Sequence, residues 1–210
     1  MNKFCVAALC AASVAGSSLG AIRITEWMYN GAGGTNREFF EITNVGGPAV
    51  DLTGWSFDDN SRTPGSLSLS SLGTLAAGES AIVCEQASAT FRTAWSLGAA
   101  VKILGSSTQN LGRADEINIY DAGNNLVDRL TYDDQTLGGH RTQGISDNIK
   151  FSKLGLNDSS SGVASVAGDS WGSITSASGD VGNPGTYADV PAPGALALAG
   201  LGAILARRKR

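Results

Sequence analysis

The sequence predicts an all-β fold, a sandwich or barrel, for residues 21–155. Three observations carry that expectation. Short runs of β-branched and aromatic residues recur from Ala21 to Asp133, turn residues bound them every 8 to 12 or so residues, and only one segment has a helical pattern.

Ile22 and Ile24 alternate with Arg23 and Thr25, after which Trp27 and Tyr29 carry the apolar phase on with a shift across Glu26. An inserted residue re-phases every side chain beyond it, so the shift predicts a β-bulge. Glu38-Phe39-Phe40-Glu41-Ile42-Thr43 reads as a half-exposed strand, with Glu38 and Glu41 on either side of Phe40. Val50-Asp51-Leu52 and Trp55-Ser56-Phe57 follow, Trp55 being expected as an anchor between the sheets. Ser80 to Glu85 is the next strand, and its Cys84 is expected as a small buried thiol. Ser88 to Trp95 is the helix candidate: Ser88 can cap it, and Phe91 and Trp95 are spaced to share a face. Val101 to Leu104, Glu116 to Tyr120 and Leu126 to Tyr132 complete the series, the last two joined as a hairpin across Asp121 to Asn125. Gly54, Gly78 and Gly123 are expected at turns that need positive φ. Gly and Ser then crowd residues 156–189, which read as an irregular strap over the sandwich, tied by Trp171, passing into a linker.

Several of these segments, in this order, resemble the lamin tail domain. They are Ile22 to Glu26 leading to Tyr29-Asn30-Gly31, Glu38 to Asn44, Val50-Asp51-Leu52-Thr53-Gly54-Trp55, Leu75-Ala76-Ala77-Gly78-Glu79, the pair Asp115 to Asp121 and Asn125 to Tyr132, and Gly182-Asn183-Pro184-Gly185. The resemblance implies an immunoglobulin-like β-sandwich. Because such domains also occur joined to secreted nucleases, it further implies a binding module for an extracellular polymer, polysaccharide or DNA, as one reading. Where the family often opens its first paired strand with Gly-Asp, this chain has Ala114-Asp115, and its Ser61 to Leu72 loop is rich in serine.

The two ends read as sorting signals. Lys3, the apolar run Phe4 to Val14 and the small residues before Gly20 form the three zones of a signal peptide over 1–20, with signal peptidase expected to cut between Gly20 and Ala21. At 190–210, Val190-Pro191-Ala192-Pro193-Gly194 precedes the apolar stretch Ala195 to Ala206 and the basic stop Arg207-Arg208-Lys209-Arg210. Basic residues stay on the cytoplasmic face, so the domain would lie outside. This tail resembles the PEP-CTERM sorting signal in a variant with Ala192 where Glu is usual. The resemblance implies an exosortase-like processing enzyme as partner, and a short hydrophobic helix that serves as a transient membrane anchor, since spanning a bilayer takes about 20 residues.

Composition narrows the functions. One of the 15 basic residues lies in 1–20 and four lie in 191–210, neither of which holds an acid, so the part between carries 10 against 19 acids, a net charge near -9. That sign argues against intracellular nucleic acid as a partner. Nor is there a catalytic motif: His140 is the sole histidine, no Gly-x-Ser-x-Gly elbow occurs, and nucleotide-binding loops are missing. No catalytic residue, cofactor or metal ligand is therefore assigned. Asp58-Asp59-Asn60 and Asp133-Asp134 read as solvated turn acids, calcium being the alternative. Together with His140 they are the only groups a hydrolase could use. A glycan reader would want exposed aromatics, for which Trp27, Tyr29, Trp95 and Trp171 are the candidates. The expectation is an exported, non-catalytic module of the cell surface, outer envelope or extracellular matrix, with a structural, adhesive or interaction role.

Overall fold

A computed structural model describes residues 22–34 and 36–189. The expected leader with Gly20 and Ala21, and the expected sorting tail from Val190 to Arg210, lie outside the described residues.

In chain order the strands are β1 (Ile22–Met28), β2 (Phe39–Asn44), β3 (Val50–Asp51), β4 (Ser56–Asp58), β5 (Leu67–Ser68), β6 (Thr74–Leu75) and β7 (Ser80–Cys84). After the helix α1 (Ser88–Ala94) come β8 (Lys102–Leu104), β9 (Ala114–Tyr120), β10 (Leu126–Asp133), β11 (Asp147–Asn148), β12 (Val163–Ala164), β13 (Ile174–Thr175) and β14 (Val181–Gly182). They form an all-β sandwich. One sheet runs β12-β11-β1-β2-β7-β8 and the other β10-β9-β4-β5, with β3-β6 and β13-β14 as small flanking pairs. All pairings are antiparallel except β7 with β8.

The core lies between the sheets. Ile22, Ile24, Trp27, Phe40, Ile42 and Val83 come from the larger sheet, and Phe57, Ile117, Ile119, Leu130 and Tyr132 from the smaller. Phe40 and Phe57 meet across the gap with ring centroids 4.5 Å apart. Each such side chain contributes about 1.5–3 kcal/mol by leaving water, so this layer is the main source of stability.

The register of β1 on β2 shifts between Ile24 and Glu26, as the phase change at Glu26 predicts. Ile24 and Trp27 both belong to the core, so Thr25 and Glu26 face the opposite side of the sheet together. That outer face is divided. Its upper half is apolar: Met28, Phe39, Ile82 and Cys84 pack under Phe91 and Trp95 of the α1 region. Its lower half is polar, and residues 165–187 cross it.

Four local expectations are corrected. Trp55 is only partly buried at the edge of the core, and Trp27, 1% exposed, is the tryptophan between the sheets. Ser88 does not cap α1; its hydroxyl donates to Ile103 O and accepts from Gly105 N, fastening the helix to β8. Gly54 and Gly78 have positive φ, but in the β9-β10 turn that conformation falls on Asn124 (φ 63°), while Asp121 Oδ1 accepts from Gly123 N and Asn125 N. Finally, β2 is not half-exposed: all six of its residues are buried, Glu41 at 0%, and Glu38 just before it is 7% exposed.

Candidate functional site

The residues nominated for chemistry serve the fold at separate places. Asp58 is fully buried rather than solvated: its Oδ2 accepts from Ser61 Oγ and Thr63 N, both at 2.8 Å, closing the loop after β4. Asp59 Oδ1 accepts from Ser61 N in the same loop. Asp133 caps its own turn through Gln135 N and Thr136 Oγ1. Asp134 pairs with Arg113 in a two-pronged contact, Nε to Oδ1 at 2.6 Å and Nη2 to Oδ2 at 2.7 Å. His140 has a half-exposed ring whose Nδ1 lies 2.9 Å from the buried carboxylate of Asp147, which burial pushes up to about 6 against the pull of the imidazole. The space beside it, walled by Trp27, Tyr132 and Ser159, measures about 10 Å³, enough for a water and not for a substrate. Among the described residues no group of three or more His, Cys, Asp or Glu could hold a metal ion.

Of the four nominated aromatics, Trp27, Tyr29 and Trp95 are buried at 6% exposure or less. Trp171 is half-buried, tilted against Tyr187 with centroids 5.9 Å apart. It lines an open cleft of about 240 Å³ with Lys150, Ser170, Ala188 and Asp189. Cys84 is 1% exposed, and burial pushes its thiol up to about 12, so it is not a nucleophile at neutral pH. Glu116, on the outer face of the smaller sheet, is pulled down to about 2, chiefly by the hydrogen bonds of Arg62.

A concentration of polar groups that reading the sequence missed lies beneath residues 165–187. Glu26 on β1 is the register partner of Asn148 on β11 and of Glu41 on β2, so the three side chains form a row across the sheet. All three are 0% exposed. Glu26 Oε1 accepts from Asn183 N at 2.8 Å and from Ser146 Oγ; Glu41 Oε2 accepts from Gly185 N at 2.7 Å and its Oε1 from Thr25 Oγ1 at 2.7 Å. Asn148 Nδ2 donates to Ser165 Oγ and Asn183 Oδ1. Burial is the leading reason that both carboxyls are held above the usual carboxylate range, and their mutual repulsion raises Glu26 further. The signal for this layer was Phe39 beside Phe40, apolar residues in both phases of one strand, which marks a strand covered on both faces.

Among the described residues no helix is long and apolar enough to cross a membrane. A family model described as the Lamin Tail Domain matches residues 15–134, which takes in β1 to β10 and leaves β11 to β14 outside the match. No curated protein and no solved structure matches the chain. The sandwich and a match over more than half of its length give one conclusion: the chain belongs to the lamin tail domain family, a domain of the non-catalytic, immunoglobulin-like kind.

Proposed function

We propose that the protein is an exported, non-catalytic module with a structural, adhesive or interaction role at the cell surface, in the outer envelope or in the extracellular matrix. The observation that carries this reading is how the polar residues are used. Asp58 closes a loop, Asp134 pairs with Arg113, Glu116 pairs with Arg62, and Glu26 and Glu41 take donors from residues 183–185. These groups bind the domain to itself, which suits a robust scaffold more than a site that must receive and turn over a substrate. A hydrolase working through Asp58, Asp59, Asp133, Asp134 and His140 has correspondingly little support.

Delivery rests on the sequence of the ends. Signal peptidase would cut between Gly20 and Ala21, and an exosortase-like enzyme would act at Val190 to Gly194 after Arg207 to Arg210 halt the tail in the membrane. Deleting residues 190–210 is expected to release the domain into the medium; unchanged retention at the cell contradicts this part of the proposal.

A second reading, a binding module for an extracellular polysaccharide, is favoured by one feature, the half-exposed Trp171 beside the Lys150 and Asp189 cleft. Affinity electrophoresis in polysaccharide gels should then show retardation that Trp171→Ala abolishes, and equal mobility of the two proteins removes the reading. DNA is disfavoured as the polymer by the net charge near -9 between the two ends.

A further inference from the structure

We propose that Glu26 and Glu41 hold a single proton between them, and that this proton latches residues 165–187 onto the sheet until the medium turns alkaline.

The geometry carries the argument. Register partners on antiparallel strands have Cβ atoms about 5 Å apart, and here both partners are carboxyls with no exposure to solvent. No ion pair reaches either one among the described residues. The groups that face them supply no positive charge. Residues 165–187 contribute Asp169, which repels Glu26, and Tyr187; β2 and β7 contribute the hydroxyls of Thr43 and Ser80; the β11 region contributes Ser146 and Asn148; and the ring of Trp95 lies over Gly182.

One negative charge is well served in this layer, on Glu41, where Gly185 N, Thr25 Oγ1 and Thr43 Oγ1 donate to its two oxygens, while Asn183 N and Ser146 Oγ donate to Glu26 Oε1 alone. A second is not. Glu26 Oε2 is buried with no hydrogen-bond partner, whereas both oxygens of Glu41 accept, so the proton belongs on Glu26 rather than on Glu41. In alkaline medium hydroxide takes that proton, giving water and a second carboxylate. Two adjacent buried charges then need water, and water reaches them only if the covering segment lifts.

That segment is well placed to do so. Two of the five donors, Asn183 N and Gly185 N, belong to it. The raised affinity of both carboxyls for protons is consistent with one being retained at neutral pH. The segment is also tied by Arg37 to Asp180, Tyr187 Oη to Ile149 O, Ala177 N to Ala94 O, the backbone bonds Ser146 N to Val181 O, Val181 N to Gly144 O and Ser165 N to Ser146 O, and Asn148 Nδ2 to Ser165 and Asn183, none of which involves the pair.

Hydrogen exchange read by mass spectrometry on the full chain tests the latch. Rates at about pH 6 and about pH 9, corrected for base-catalysed chemistry, should show peptides over 176–187 losing protection by tenfold or more at the higher pH. Peptides over the β9-β10 hairpin should not change. Glu26→Gln should keep the segment protected at both values, while Glu38→Gln, on a carboxyl that accepts from Leu111 N instead, should behave as wild type. Equal protection of the wild-type segment at both pH values overturns the proposal, as does a Glu26→Gln protein that opens like wild type. Protection restored at high pH by millimolar calcium also overturns it, since a cation would then be the neutralising partner. Should Glu26→Gln not fold, Glu41→Gln takes its place, and carbon-detected NMR of the wild-type side chains decides independently: both carboxyls ionising in the ordinary range defeats the latch.

Discussion

Glu26 and Glu41 stand directly opposite each other on β1 and β2, and neither presents any surface to solvent. The sandwich thus carries, on the face away from its core, a charge problem that the segment after residue 164 covers. Several consequences are open to measurement.

The first concerns pH. Burial holds Glu26 well above the usual carboxylate range, and Glu38 up to about 8, whereas in the unfolded chain both ionise near about 4.3. Between those limits the native state binds more protons than the unfolded state. The stability from these groups is therefore full below the unfolded value and is lost as pH rises through the folded ones. Melting midpoints taken from about pH 5 to about pH 9 should fall steadily, and Glu26→Gln should flatten the slope. A slope unchanged by the substitution counts against the buried acid.

Trp27 and Trp55 should respond differently to removal. Trp27, 1% exposed, sits in the core against Tyr132 at 6.1 Å between centroids, so Trp27→Ala is expected to cost about 3–5 kcal/mol. Trp55 is only partly buried, and Trp55→Ala should cost about half as much or less. Urea unfolding of the two variants checks the order, and a reversed order places the anchor where the sequence first suggested.

These contrasts show what was legible in the residues alone. The bulge at Glu26, the β9-β10 hairpin and the shared face of Phe91 and Trp95 were readable because each depends on neighbours in sequence. The burial of Glu41 was not, because the groups that cover it lie 144 residues away at Gly185, and Glu26 meets Asn183 across 157 residues. A polar residue on a strand looks solvated until the covering segment is known. Asp58 misled for a local reason: the same loop composition that signals a turn also supplies the hydroxyl and amide that let its carboxylate be buried.

Arg37 should prove structurally costly to remove. Its Nε lies 2.7 Å from Asp180 Oδ2, and that carboxylate is 1% exposed and also accepts from Ala32 N. Arg37→Ala leaves a buried charge without its cation, a loss of about 3–5 kcal/mol, unless the chain near Asp180 moves out to water. Limited proteolysis should detect faster cleavage within residues 165–189, and cleavage as slow as wild type argues against this tie.

Cys84 should be silent. With its thiol pushed up to about 12 and 1% exposed, it is expected to react with a thiol reagent only as fast as the domain unfolds. Stoichiometric labelling of the native protein within minutes contradicts its placement under α1.

The measurement that bears most directly on the proposed role is the intact mass of the protein recovered from the cell surface or matrix. A chain that begins at Ala21 and lacks Arg207 to Arg210 is the predicted result. A chain that retains Met1 and Arg210 and is recovered from the cytoplasm contradicts the account.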